Sequence, residues 1–251
     1  MRNNPIVSII TPSYNQGNYL EQTIESVLAQ TYPHIQYIII DGGSTDHSVD
    51  IIKKYEKNLH YWVSEKDYGQ ADAINKGIAK AGGDIIAYLN SDDLLEKNAI
   101  EQIVKAFTQW PDAAVIYGTC ALIDEHNKQI RPPAGAPLGF YSLLIKGMLP
   151  AIHQPACFFN LRQLKRRPVF VSELEYVMDY ELLLYCKKSK LPVKFIPMHL
   201  ANFRVHKHTK TMSQASKMYE EKMEVQRRYG PYLMALWAFR YIKHMMKGSH
   251  A

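Results

Sequence analysis

Five short apolar runs rich in β-branched residues mark the first half of the chain, at residues 6–11, 35–40, 60–63, 84–89 and 114–117. Segments with helical spacing lie between them, at 19–30, 48–57, 71–80 and 99–110. A run such as Tyr37-Ile38-Ile39-Ile40 does not alternate apolar with polar residues. It therefore reads as a strand covered on both faces, and the βαβα order predicts a mostly parallel sheet flanked by helices. In such sheets ligands sit beyond the carboxyl ends of the strands, so the residues following each run carry the most information.

Those residues are polar, and several are acidic. The first run is followed by Pro12-Ser13-Tyr14-Asn15, the second by Asp41-Gly42-Gly43-Ser44-Thr45-Asp46, and the fourth by Asn90-Ser91-Asp92-Asp93. No GxGxxG follows any of these runs and no GxxxxGK[ST] occurs, so neither a dinucleotide fingerprint nor a P-loop explains the site. Carboxylates gathered without a lysine-bearing phosphate loop suit a divalent cation that neutralises a diphosphate. A simpler reading competes at two places: Asp92-Asp93 could cap a helix over 94–110, and Ser44-Thr45-Asp46 could be the capping turn of the next one. Asp41 ends a buried strand and caps nothing evident.

Four strings in order, residues 8–15 (SIITPSYN), 40–46 (IDGGSTD), 72–77 (DAINKG) and 89–93 (LNSDD), resemble the family 2 glycosyltransferases of GT-A fold, non-processive and of the bacterial surface-polysaccharide type. The resemblance continues more weakly through His153-Gln154, Met178-Asp179-Tyr180-Glu181 and Phe203-Arg204-Val205-His206. It implies an α/β GT-A domain with a C-terminal helical region on the acceptor side. It also implies a metal-dependent, inverting transfer of one sugar from a nucleoside-diphosphate sugar, UDP-sugar being favoured, to a glycan or lipid-linked saccharide in cell-surface polysaccharide synthesis. Residues 1–125 would be the nucleotide-sugar half, 126–212 the acceptor and catalytic-base portion of the same domain, and 213–251 basic amphipathic helices.

Carried residue by residue, the resemblance assigns Thr11, Pro12 and Tyr14 to the wall of the nucleotide base, with Tyr14 stacking on it, and Asp41 to a base N–H. Asn15, Ser44, Asp72 and Asn75 fall beside the nucleotide, and Asp92 on the ribose. Asp93 would hold Mn²⁺ or Mg²⁺, with His206 as a further ligand. Asp179 would be the general base, placed where helix-terminal amides favour its ionised form. His153, Gln154, Glu181 and Arg204 belong to the acceptor side, Glu181 being the rival base. Two positions depart from the pattern: Asn90 replaces the first acid of the usual metal triplet, and Ile74 stands where some members have arginine.

Charge divides the chain unevenly. Residues 1–125 hold 9 Lys and Arg against 17 Asp and Glu, a balance of −8, and residues 126–251 hold 21 against 7, a balance of +14. Residues 225–251 have no acid but carry Arg227, Arg228, Arg240, Lys243 and Lys247 around an aromatic stretch. This pattern fits either an amphipathic segment at an anionic membrane surface or a helix packed on protein. Nucleic acid is not expected, because the stacking groups fall on the acidic side.

Three cysteines without a CxxC pair argue against a disulfide framework. No leader is evident, and no run approaches the ~20 apolar residues of a spanning helix. The expected location is the cytoplasm, at the inner face of the cell membrane. The alternative function is a non-catalytic subunit that binds nucleotide-sugar or glycan and recruits a partner enzyme to the membrane.

Overall fold

The computed structural model describes residues 4–166, 169–207, 209 and 215–231. The front half alternates as expected: β1 (Val7–Ser13), α1 (Gly17–Leu28), β2 (Ile35–Asp41), α2 (Ser48–Lys54), β3 (Tyr61–Ser64), α3 (Gln70–Lys80), β4 (Ile85–Tyr88), a two-residue β5 (Leu94–Leu95) and α4 (Ala99–Gln109). The chain continues through β6 (Val115–Ile123), β7 (Gln129–Ala134), α5 (Phe140–Lys146), β8 (Cys157–Asn160), α6 (Met178–Lys188), β9 (Val193–Arg204) and α7 (Ala215–Tyr229).

Among the described residues the strands form one mixed sheet in the order β3-β2-β1-β4-β8-β6-β9-β5, with β7 on the side of β6. β3, β2, β1 and β4 are parallel neighbours. The parallel run stops at β8, which lies antiparallel to both β4 and β6. Hydrophobic spacing identifies a buried strand but not its neighbour, so the insertion of a later strand between β4 and β6 leaves no local trace. β9 then lies parallel to β6 and carries the sheet back toward β5.

Alternate residues of the central strands feed two apolar clusters, one on each face of the sheet. Ile10, Ile38, Ile40 and Ile86 pack with α3, α5 and α6, whereas Val7, Ile9, Tyr37, Ile39 and Ile85 pack with α1 and α4. α3 approaches β1 closely because Gly77 has no side chain: a Cβ there would run into the side chain of Ile10. Replacing Gly77 with valine is expected to lower stability by about 1–3 kcal/mol through overpacking, a loss that denaturant unfolding would read directly.

The helix expected over 94–110 begins at Ala99 instead, since Leu94 and Leu95 pair as strand with Asn202 and Ala201. Asp92 and Asp93 therefore cap no helix. They occupy a turn closed by the Asp93 amide on the Asn90 carbonyl, between β4 and β5. Among the described residues no helix is long and apolar enough to cross a membrane. The basic aromatic stretch beyond residue 231 lies outside the described residues.

Candidate active site

The loops after β1 and β2 are laced to each other. Asp41 is fully buried, and its Oδ2 accepts from the amides of Gly43 (3.1 Å) and Ser44 (2.8 Å) and from the Ser64 hydroxyl (2.7 Å). Its Oδ1 accepts from the Ser44 hydroxyl at 2.5 Å. The carboxylate expected to meet a base N–H thus organises the Gly42-Gly43-Ser44 turn from beneath. Gly43 supplies the left-handed backbone there, with φ of 81°. Asn15, itself left-handed, donates its amide to Ser44 Oγ (2.8 Å) and accepts from the Thr45 amide (2.8 Å).

Tyr14 leaves this lattice with 61% of its surface exposed, so its ring is open to a ligand. Thr11 and Pro12, expected in the base wall, do not share this exposure. Both are buried within the sheet, and the Thr11 hydroxyl pairs with that of Tyr37 at 3.1 Å. Two residues of the α3 motif also have protein partners. Asn75 bonds both polar atoms of its amide to the backbone of Phe170, at 2.8 and 3.1 Å, and is spent on tethering that segment. Asp72 accepts from the Tyr68 amide at 3.1 Å and lies 3.4 Å from Lys76. Tyr68, 90% exposed on the loop between β3 and α3, went unremarked in the sequence because no pattern distinguishes a loop tyrosine.

At the end of β4 the two acids divide. Asp93 is fully buried: its Oδ1 accepts from the Arg204 amide (2.9 Å) and its Oδ2 from the Asn90 side chain (3.3 Å). Burial, reinforced by the neighbouring charge of Asp92, pushes its carboxyl well above the ordinary range. Asp93, expected as the metal ligand, thus faces inward, with both carboxylate oxygens accepting from protein groups. Asp92 is the partly open one, with its Oδ2 3.0 Å from Nε2 of His206. The order of acids in the sequence does not reveal which one turns outward; the β5–β9 pairing decides it, by setting the backbone of Arg204 against Asp93.

Arg204 is also reassigned. Expected on the acceptor side, its guanidinium is instead buried beneath the Asp92-Asp93 turn, donating to the carbonyls of Asp92 (2.7 Å) and Asp124 (3.2 Å) and to the side chains of Asn127 (2.6 Å) and Gln22 (3.0 Å). The ring of Tyr19 lies 5.0 Å from its guanidinium and 4.6 Å from the ring of His206. Tyr19, Gln22 and Asn127 belong to no motif and were legible only in the structure.

Asp179 enters from α6, in its first turn. It shifts opposite to the direction expected from helix-terminal amides. Burial wins over the amide of Tyr180, 2.8 Å from its Oδ1, and pushes the carboxyl up to about 6. Tyr88, the last residue of β4, is buried, and that burial, with the charges of Asp179 and Asp93 adding to it, holds its hydroxyl well above the ordinary range. Glu181, two residues on, is unavailable as a base. Its carboxylate is buried, pairs with Arg166 at 2.5 Å and accepts from the Tyr229 hydroxyl, a scaffold joining α6 to α7. Gln154 donates to the Tyr88 carbonyl at 2.8 Å, leaving its Oε1 without a partner. His153 beside it is buried, which lowers its ring pKa.

Among the described residues no group of three or more His, Cys, Asp or Glu side chains gathers into a metal cage. The carboxylate and imidazole of Asp92 and His206 make a two-donor set, which fits an ion whose other ligands come from a diphosphate and water.

Comparison with known proteins identifies the family and the fold. The pattern of "Glycosyl transferase family 2" matches residues 8–167. A putative teichuronic acid biosynthesis glycosyltransferase of Bacillus subtilis, TuaG, is 45% identical over 101 residues, which cover 39% of this chain and 40% of that protein. Among solved structures, residues 1–349 of S. aureus TarS in complex with UDP-GlcNAc align with a TM-score of 0.67 at 17% identity, over 89% of this chain and 66% of that one. The mannosyltransferase PcManGT of Pyrobaculum calidifontis, in complex with GDP-Man and Mn²⁺, aligns with a TM-score of 0.65 at 19% identity, over 84% and 60%. The chain spans less than two thirds of each of these proteins. At such identities the two structures speak for the fold.

Proposed function

The chain belongs to glycosyl transferase family 2, and on that premise we propose that it moves one sugar from a nucleoside-diphosphate sugar, a UDP-sugar in the first instance, to a hydroxyl of a glycan or lipid-linked saccharide, with inversion. The observation that carries this reading is the pairing of Asp92 with His206 at the end of β4. That the UDP-GlcNAc and GDP-Man complexes were obtained with proteins of this fold supports a nucleoside-diphosphate sugar as donor.

Tyr14 receives the base by stacking its exposed ring, a contact worth about 1–3 kcal/mol in comparable sites. The turn held by Asp41, Asn15 and Ser44 offers the polar edge beside it. Asp92 and His206 are the residues that would hold Mn²⁺ or Mg²⁺. Such an ion, when bound, offsets the charge that develops on the diphosphate as its bond to the anomeric carbon breaks. On the opposite side Asp179 accepts the proton of the acceptor hydroxyl as its oxygen bonds the anomeric carbon. The mixed N,O donor set fits Mn²⁺, and the Pyrobaculum complex with Mn²⁺ supports it.

The protonation of Asp179 sets a pH dependence. A carboxyl raised to about 6 loses its proton-accepting form below that pH, so kcat/KM should fall about tenfold per pH unit on the acid side of 6. A profile flat down to pH 4.5 would remove Asp179 from the role. The sign for stability is opposite: the fold favours the neutral acid, so stability declines as pH rises from the unfolded value toward 6.

Release of nucleoside diphosphate from UDP- and GDP-sugars, with Mn²⁺ and with EDTA, tests the proposal. Metal-dependent release from at least one donor is expected. If no donor turned over and none bound, the proposal would be wrong.

A further inference from the structure

The buried guanidinium of Arg204 sits beside two acids, yet none of its hydrogen bonds ends on a carboxylate of Asp92 or Asp93. Its acceptors are neutral: the carbonyls of Asp92, Asp124 and Glu125, Asn127 Oδ1 and Gln22 Oε1. Its own backbone amide is what engages a carboxylate, that of Asp93. We propose that Arg204 is a positioning residue that aims the Asp92 carboxylate and the His206 ring at a divalent cation, by gripping the backbone of the turn and leaving the Asp92 carboxylate to face His206. This inference rests on the metal-dependent reading above.

The physical argument is one of competition. A bidentate ion pair between Arg204 and Asp92 would satisfy both partners and compete directly with a cation for the same oxygens. Directed instead at the Asp92 carbonyl, the guanidinium fixes where the residue stands without occupying its side chain. Its positive charge also offsets the two acids crowded at that turn, which desolvation would otherwise penalise. Two elements hold the guanidinium in place: α1, through the Gln22 side chain and the Tyr19 ring, and the β6–β7 turn, through Asp124 and Asn127. Tyr19 contacts the His206 ring as well, so the arginine, the aromatic and the imidazole form one stack whose order is transmitted to both donors. Arg204 ends β9 and His206 follows two residues later, so a shift of one displaces the other.

Asn127 is a route to Arg204 that leaves the acidic turn untouched. It sits in the left-handed region with φ of 66°, where glycine is favoured, so Asn127→Gly keeps the turn and removes only the side-chain acceptor at 2.6 Å. Arg204→Lys keeps the charge and removes the planar fork.

The experiment is Mn²⁺ titration followed by electron paramagnetic resonance in the presence of UDP, on the intact chain and both variants, with thermal unfolding in parallel. Arg204→Lys is expected to weaken Mn²⁺ binding at least tenfold, and Asn127→Gly about threefold, with UDP affinity in EDTA unchanged for Asn127→Gly. If Arg204→Lys does not fold, Asn127→Gly decides the matter alone. Wild-type affinity for Mn²⁺ in a folded Asn127→Gly and a folded Arg204→Lys would overturn the positioning role while leaving metal dependence intact. Absence of Mn²⁺ binding to the wild-type chain with UDP would overturn both.

Discussion

Asp179→Asn is expected to lower turnover by about 10²- to 10⁴-fold while leaving nucleoside-diphosphate affinity unchanged, because the amide keeps the shape of the side chain but takes up no proton. The contrast with Glu181 gives the prediction its force. Both acids lie in the first turn of α6, and both are candidates on sequence alone. Asp179 has burial pushing its carboxyl up to about 6, a value suited to exchanging a proton near neutrality, whereas Glu181 is committed to Arg166 and Tyr229. Glu181→Ala removes the carboxylate that pairs with the Arg166 guanidinium and should cost about 3–5 kcal/mol of stability. Turnover assays with isothermal titration of UDP separate the two outcomes: a chemical defect in a stable protein for Asp179, a folding defect for Glu181. Normal turnover in Asp179→Asn would exclude it as base.

The second large effect is expected at Asp92. Asp92→Asn should abolish the stimulation by Mn²⁺, because an amide oxygen paired with one imidazole is a poor substitute for a carboxylate on a hard cation. Asp93→Asn should act mainly through the fold. Its carboxyl is held well above the ordinary range by burial, and its two oxygens already accept from Arg204 and Asn90. The asparagine retains an acceptor for the Arg204 amide but turns an NH₂ toward Asn90, which loses one buried hydrogen bond and costs about 1–3 kcal/mol. A Mn²⁺ titration of activity for both variants, read beside their melting temperatures, discriminates. Reversed behaviour, with Asp93→Asn metal-blind and Asp92→Asn merely unstable, would return the metal to Asp93.

Those two residues show where sequence reading reaches its limit. The alternation of apolar runs with helical segments was sufficient to place β1 to β4 with their flanking helices, because a strand covered on both faces has a composition of its own. The acids at the strand ends were equally visible. Which acid turns outward was not, since it follows from a pairing between β5 and β9 over more than a hundred positions of sequence. A long separation in sequence likewise hid the insertion of β8 beside β4. Asn75 and Arg204 belong to recognisable strings, yet their side chains are spent on Phe170 and on the Asp92-Asp93 turn, contacts that no local spacing encodes. The burial of Thr11 and Pro12 has a plainer reason: β1 runs on to Ser13, so both still lie inside the sheet.

The account turns on Asp92 and His206 sharing a divalent ion at the carboxyl end of the sheet. Anomalous diffraction at the manganese edge, from crystals grown with UDP and Mn²⁺, addresses it without relying on turnover. A peak within coordination distance of the Asp92 carboxylate and the His206 imidazole is the predicted result. A peak bonded to Asp93, or none beside either residue with UDP in place, would contradict it.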